Sequence, residues 1–306
     1  MKYIISFFFA ILLYHPVYAQ NQYSFYLNKG IEQYNSHNYD AALKNFEAAK
    51  ISPGANVTEI IQWINKVNDA KLKSPKGKKS NGSLSPSTAS YNYEYYFNRA
   101  IAKVNLKNYK GAVDDYTKAI QLNPNDPDAY FNRADTKFEL KNYSGAIEDY
   151  TKAIQLRPDN ADYYYSRGYA KGELENYSGA IDDYSKAIQL DPNGIGYNYN
   201  RGYAKAQLKN YSDAIDDFTK AIQIDPNDPE VYFSRAYAKN ELKNYSGALD
   251  DYTKAIQLNP KYASAYINRG SIRFETADKN SACSDFLKGC NLGNNIGCEF
   301  YNKSCK

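Results

Sequence analysis

Between Asn92 and Pro124 the apolar positions fall into two blocks. The first, Asn92 to Lys107, spaces Tyr96, Ala100 and Leu106 so that they share one buried face of a helix. The second, Tyr109 to Leu122, does the same with Ala112, Val113, Tyr116, Ala119 and Ile120. Asn108-Tyr109 divides them, and an asparagine side-chain oxygen can accept a free backbone N–H at the start of a helix. Asn123-Pro124 closes the second block, because the residue before proline is driven out of the α region. The pattern predicts a helical hairpin with a stop signal. It then returns: Pro124, Pro158, Pro192, Pro226 and Pro260 fall 34 residues apart, and the sequence between them returns too. A fixed period of this length means stacked copies of one supersecondary unit, each burying its apolar face on its neighbours.

Small residues show where the two helices of a hairpin touch. Ala100/Ala112 recur as Ala134/Ala146, Gly168/Ala180, Gly202/Ala214 and Ala236/Ala248. Rings such as Tyr96, Tyr109 and Tyr116, repeated at Tyr130, Tyr143 and Tyr150, fill the space beside them. Adding volume to packing of this kind costs about 1–3 kcal/mol per site.

These residues resemble the tetratricopeptide repeat, the 34-residue helix–turn–helix family. The resemblance covers five copies, 93–124, 127–158, 161–192, 195–226 and 229–260, and a degenerate sixth from 263. It implies an all-α fold, a right-handed α-solenoid. The fourth copy departs from the pattern. Asn198 stands where the others have Tyr96, Tyr130, Tyr164 and Tyr232, with Gly194 and Gly196 just before it, so a weaker junction is expected there. One more copy lies near the N-terminus, in Tyr26, Gly30, Tyr39, Ala42, Phe46, Ala49 and Pro53. A following helix, Asn56 to Leu72, offers Ile60, Ile61, Trp63, Ile64 and Val67 to cover the open end of that hairpin.

Five regions follow: 1–19, 20–72, 73–90, 91–262 and 263–306. Residues 1–19 read as a signal peptide, with Lys2, an apolar run from Ile4 to Leu13, and Val17-Tyr18-Ala19 as the small-residue cleavage site. The run is shorter than the ~20 residues that span a bilayer. The expected location of the mature chain is therefore outside the cytoplasm, periplasmic or secreted, with no transmembrane segment. Residues 73–90, rich in Ser, Pro, Gly and Lys and devoid of large apolar groups beyond Leu84, read as a flexible linker.

Charge changes the picture only locally. Of the net +4, one charge leaves with Lys2, and Lys71, Lys73, Lys76, Lys78 and Lys79 carry five more. That leaves 91–306 near neutral, unlike a nucleic-acid surface, which is basic on one face. The five lysines could make a weak contact with an anionic surface.

Cys283, Cys290, Cys298 and Cys305 lie in the last 24 residues. In an exported chain an even number of cysteines points to disulfides. Seven-residue spacings put Cys283 and Cys290 on one helix face and Cys298 and Cys305 on another, with Leu292-Gly293-Asn294-Asn295 as stop, turn and new cap. Facing residues of an antiparallel hairpin have a constant index sum. Both 290 + 298 and 283 + 305 equal 588, which predicts Cys290–Cys298 and Cys283–Cys305. Zinc is disfavoured, since its cysteine pairs usually lie two to four apart. The segment 290–298 also resembles the hairpin of Sel1-like cysteine-rich repeats. Its expected role is to cap the last repeat.

No catalytic constellation, cofactor motif or metal set is present. Of two histidines, His15 lies in the signal and His37 in a turn. The Asp-Asp pairs (114/115, 182/183, 216/217, 250/251) recur with Arg99, Arg133, Arg167, Arg201, Arg235 and Arg269 and read as structural ion pairs. Asn142, Asn176, Asn210 and Asn244 sit in Asn-Tyr-Ser glycosylation patterns that coincide with helix caps. The resemblance implies that the first helix of each repeat lines a concave groove. There, Asn98, Asn132, Ser166, Asn200, Ser234 and Asn268 form a ladder able to pair with a peptide backbone. Beside it run Phe97, Phe131, Tyr165, Tyr199 and Phe233, and one turn further Tyr169, Tyr203 and Tyr237. The expected function is a non-catalytic scaffold that holds an extended segment of a protein partner. Cell-wall glycan binding and a structural, self-associating spacer are the alternatives.

Overall fold

The computed structural model describes residues 27–50, eight helical positions between 59 and 70, and 86–306. Every regular element among them is an α-helix. α1 spans 27–35, α2 Tyr39–Lys50, and α3 comprises the helical positions of 59–70. α4 (Pro86–Asn105), α5 (Tyr109–Leu122), α6 (Pro127–Glu139), α7 (Tyr143–Leu156), α8 (Ala161–Glu173) and α9 (Tyr177–Leu190) follow. α10 (Tyr197–Gln207), α11 (Tyr211–Ile224), α12 (Pro229–Glu241), α13 (Tyr245–Leu258), α14 (Ala263–Glu275), α15 (Lys279–Asn291) and α16 (Asn295–Ser304) complete the chain. They divide into two compact units, one ending at Asn142 and one running from Tyr143 to Lys306. The signal segment and most of the 73–90 stretch lie outside the described residues. Residues 86–90, read from sequence as linker, instead form the first turn of α4. Proline is favoured there because its missing N–H would be unpaired in any case.

In the first unit α1 and α2 form a hairpin on which Ile60, Ile64 and Val67 of α3 are fully buried, with Trp63 stacked on Phe46 at 5.9 Å. The apolar face of α3 thus covers that hairpin. Further on, α4 packs on α5 through Ala100, Ala112 and Tyr116, and α5 in turn packs on α6.

In the second unit each helix packs on the next from α7 to α16. Helices approach at small residues. A Cβ built on Gly168 would lie 3.0 Å from the Tyr184 ring, and one on Gly202 3.0 Å from Phe218. Tyr184, Phe218 and Tyr252 are buried beside them.

The turns repeat as strictly as the core. Lys107, Lys141, Glu175, Lys209 and Lys243 each have φ near +60°, and His37 takes the same conformation. Asn108 N–H bonds back to Lys103 O while Lys107 N–H bonds Val104 O, the double closure of a helix end. The Asn108 side chain then accepts from Gly111 N–H, so one residue closes α4 and caps α5. Asn176, Asn210 and Asn244 do the same at α9, α11 and α13. The leucine before each turn is exposed. Leu106, expected to be buried, is 64% accessible, because α4 ends at Asn105 and the left-handed residue turns the chain away from the core.

At the C-terminal end, α15 and α16 form a hairpin with nested disulfides, Cys283–Cys305 and Cys290–Cys298, at Cα separations of 5.6 and 4.5 Å. Gly297 permits the approach: a Cβ there would lie 2.9 Å from Cys290 N. All four thiols are consumed, which leaves none for zinc.

Candidate functional site

The repeating arginine decides which faces of the first helices remain free. Arg201 binds Asp217 with two parallel hydrogen bonds, and its Nη1 donates to Ser185 of the preceding repeat at 3.1 Å. Arg167, Arg235 and Arg269 use Thr151, Thr219 and Thr253 in the same way. A second cation joins each carboxylate: Lys171 on Asp183, Lys205 on Asp217, Lys239 on Asp251 and Arg273 on Asp285. In the first unit Arg99 and Lys103 share Asp115. Burial works against that charge, but the two cations hold the Asp115 carboxyl below its ordinary range. The second aspartate of each pair carries these bonds, while Asp114, Asp182 and Asp216 are exposed.

The asparagine ladder does not form one open row. Asn98 and Asn200 are buried, whereas Asn132, Ser166, Ser234 and Asn268 are half-buried. Asn200 Nδ2 donates to the Tyr165 hydroxyl at 2.8 Å, and Ser234 lies 3.5 Å from that of Tyr199. Asn132 Nδ2 donates to the Asp128 carbonyl, one turn back on its own helix. The adjacent rings also face inward. Phe97 meets Tyr116, Tyr165 meets Tyr184, Tyr199 meets Phe218 and Phe233 meets Tyr252, at centroid distances of 5.5–5.8 Å. Phe131 is half-buried. Burial pushes the Tyr165 phenol up to about 12.

The outermost row is different. Tyr203 and Tyr237 are 47% and 43% exposed, and Tyr169 is half-buried. Tyr177 and Tyr211, the first residues of α9 and α11, extend this row. Tyr211 meets Tyr237 edge-on at 6.3 Å. Burial, then Glu173, Tyr143 and Tyr203, raise the Tyr169 phenol; for Tyr211 the causes after desolvation are Glu241 and Tyr237. The second unit therefore carries a surface of phenols interleaved with the exposed carboxylates Glu173 and Glu241. Sequence reading identified three of these tyrosines. It missed Tyr177 and Tyr211 because they belong to the other helix, as the residue after each capping asparagine.

The junction at Asn198 is also distinctive. Its side chain is buried and its Oδ1 has no hydrogen-bond partner. It lines a cavity of about 70 Å³ together with Gly194, Gly196, Ile224, Asp225, Asp228 and Val231. The departure seen in the sequence at this repeat coincides with that slot. Among the described residues no helix is long and apolar enough to cross a membrane.

Comparison with known proteins agrees with the repeat pattern. A tetratricopeptide repeat family model matches 161–193, 198–228 and 229–262, and a second model of the repeat matches 102–140 and 134–174. No curated protein matches the chain. Among solved structures, pilF of Pseudomonas aeruginosa superposes with a TM-score of 0.58 at 22% identity, over 70% of this chain and 99% of that one. A MamA protein gives 0.54 at 23%, over 57% and 96%. YrrB, described as a TPR protein with an unusual peptide-binding site, gives 0.52 at 24%, over 58% and 92%. At these identities the likeness establishes the fold.

Proposed function

The chain belongs to the tetratricopeptide repeat family, whose members are protein-interaction scaffolds, and from that premise we propose that its second unit holds an extended segment of a protein partner outside the cytoplasm. The observation that carries this reading is the row of exposed Tyr203 and Tyr237 and half-buried Tyr169, with Glu173 and Glu241 beside it. Tyrosine supplies large contact area at low entropic cost, and its hydroxyl can pair with a peptide backbone. The rigid arginine clamps beneath keep that row fixed, so little ordering is needed on binding. The peptide-binding site described for YrrB is consistent with this use of the fold. Two disulfide bridges between half-buried cysteines and the apolar run from Ile4 to Leu13 support an oxidising location. The test is capture of peptides from a random library by the full chain, beside a glycan array and a Tyr203→Ala/Tyr237→Ala variant. Peptides held by the parent chain and lost by the variant support the reading. Capture of glycans alone, or of peptides equally by both proteins, overturns it.

A further inference from the structure

Three consecutive junctions of the second unit carry the same group. The first residue of a second helix (Tyr143, Tyr177 or Tyr211) is set against a tyrosine in the first helix of the next repeat (Tyr169, Tyr203 or Tyr237). One turn further along that first helix stands Glu173, Gln207 or Glu241, and all three are exposed. The flanking repeats break the pattern: the corresponding triplets read Tyr109, Asp135, Glu139 and Tyr245, Ser271, Glu275. The repeat therefore folds without the middle ring. Tyr203 and Tyr237, nearly half exposed, are not needed for packing.

The corner at Tyr211 shows the geometry. Its ring meets Tyr237 with planes 74° apart, and its hydroxyl donates to Glu241. The electrostatics are one-sided. Desolvation, then Tyr203, Glu175 and Glu173, raise the Tyr177 phenol, and the charges acting on Tyr169 and Tyr211 are likewise carboxylates and phenols. The turn lysines Lys209 and Lys243 are not among them. The cations of the first helices are committed elsewhere, since Lys171, Lys205 and Lys239 hold Asp183, Asp217 and Asp251. Among the described residues no ion pair includes Glu173 or Glu241.

Within the first unit the same chemistry already holds a guanidinium. Arg99 lies with its Cζ 4.8 Å over the Tyr95 ring, donates to the Tyr95 hydroxyl at 2.7 Å and forks onto Asp115. The exposed corners present ring, hydroxyl and carboxylate, and the chain supplies no cation to them. Arginine suits this set better than lysine, because its planar fork stacks on a ring and pairs with a carboxylate at once. We propose that the row binds arginine side chains of the partner segment, their guanidinium groups stacked on these tyrosines and paired with Glu173 and Glu241. This deepens the reading that the second unit holds an extended peptide, and rests on it for the presence of that segment.

The experiment is a calorimetric titration of the full chain with short capped peptides that alternate alanine with arginine, lysine, citrulline or glutamate. The ring signals of Tyr203 and Tyr237 are followed by NMR in parallel. The arginine peptide should bind saturably and shift both rings, and the lysine peptide should bind more weakly. Citrulline, which keeps the shape without the charge, and glutamate should not bind. Glu241→Gln, at an exposed position, should weaken arginine binding roughly tenfold, the scale of one charge-assisted hydrogen bond. Tyr237→Leu should weaken it similarly, whereas Tyr237→Phe, which keeps the ring face, should retain most of it. Equal binding of the arginine and citrulline peptides, or unchanged affinity in Glu241→Gln and Tyr237→Leu, overturns the proposal. Library peptides that need the tyrosine row yet carry no excess of arginine remove the arginine preference and leave the groove. Arginine binding at these corners beside library capture that ignores the tyrosines does the reverse.

Discussion

Arg201 reaches Asp217, sixteen residues ahead, through Nε and Nη2 at 2.9 and 2.6 Å, and Ser185, sixteen residues back, through Nη1 at 3.1 Å. One guanidinium thus joins the second helix of its own repeat to that of the repeat before. The planar fork of arginine suits this, and a lysine could not make the same three bonds. Because Asp217 is buried and also holds Lys205 at 2.8 Å, removing its charge strands two cations. Asp217→Asn should therefore lower stability by about 2–4 kcal/mol, short of the full penalty for a wholly buried pair. Asp216→Asn, on the exposed side, should stay within about 0.5 kcal/mol. Chemical denaturation of both variants checks the contrast, and similar losses would contradict the clamp.

A second prediction concerns the interhelical turns. Lys209 has φ +63°, a conformation that strains a side chain by about 1 kcal/mol and that glycine adopts freely. Lys209→Gly should raise stability by roughly 0.5–1 kcal/mol, less the greater entropy of the unfolded glycine. The same substitution at Lys205, inside α10, should lower it by more than that through loss of its ion pair. Denaturant midpoints of the two variants should move in opposite directions.

Much of this fold was legible in the sequence because each repeat states its own punctuation. Asn108, Pro124 and their equivalents fix where helices start and stop, and Tyr109–Leu122 emerged with the bounds its pattern implied. The disulfide pairing was legible for a related reason, since the symmetry of an antiparallel hairpin appears directly in residue numbers. The functional surface was harder to see. Whether Asn200 faces solvent or the Tyr165 hydroxyl depends on how repeats stack, which periodicity within one repeat does not specify. Leu106 misled because helical spacing continues on paper past the point where a left-handed residue ends the helix. The Asn198 slot was visible only as a departure.

Burial of phenols makes the array sensitive to alkali. The Tyr165 pKa lies at about 12 against an ordinary 10.0, and burial also raises Tyr116, Tyr184 and Tyr252. The folded chain keeps these protons after the unfolded chain has released them. Stability should be fully present below pH 10 and fall as pH rises from 10 toward 12, by about 2–3 kcal/mol from Tyr165 alone. Dichroism and phenolate absorbance followed together should show helix loss coinciding with late tyrosine ionisation. Phenols that ionise near pH 10 while the helices remain intact would contradict this.

Reduction should act at one end. The bridges close loops of 22 and 8 residues across α15 and α16, and the first to form should contribute on the order of 3 kcal/mol. In stacked repeats coupling passes mainly between neighbours, so the loss should fade along the second unit. Amide exchange after reduction should accelerate around Phe286 and leave Tyr184 protected. Uniform acceleration would mean that the hairpin holds the whole unit together.

The last prediction separates the two rows proposed to meet a ligand. Asn200 is buried and bonded to Tyr165, so Asn200→Ala should lower stability by about 1–2 kcal/mol through the lost bond and the space left behind. Tyr203 and Tyr237 are nearly half exposed, so truncating them should cost little stability while removing most of the contact area offered to a partner. Asn132, in the first unit, occupies a middle case: its half-buried Nδ2 donates to the Asp128 carbonyl one turn back on its own helix, so Asn132→Ala should change neither the midpoint nor binding by the second unit. Melting curves and capture of library peptides by the four single variants, each in the full chain, decide the assignment. The tyrosine variants should lose binding and keep their midpoint, while Asn200→Ala should lower the midpoint and keep binding wherever the chain remains folded. If Asn200→Ala loses binding at an unchanged midpoint, the ligand contacts the inner ladder and the exposed tyrosines are bystanders.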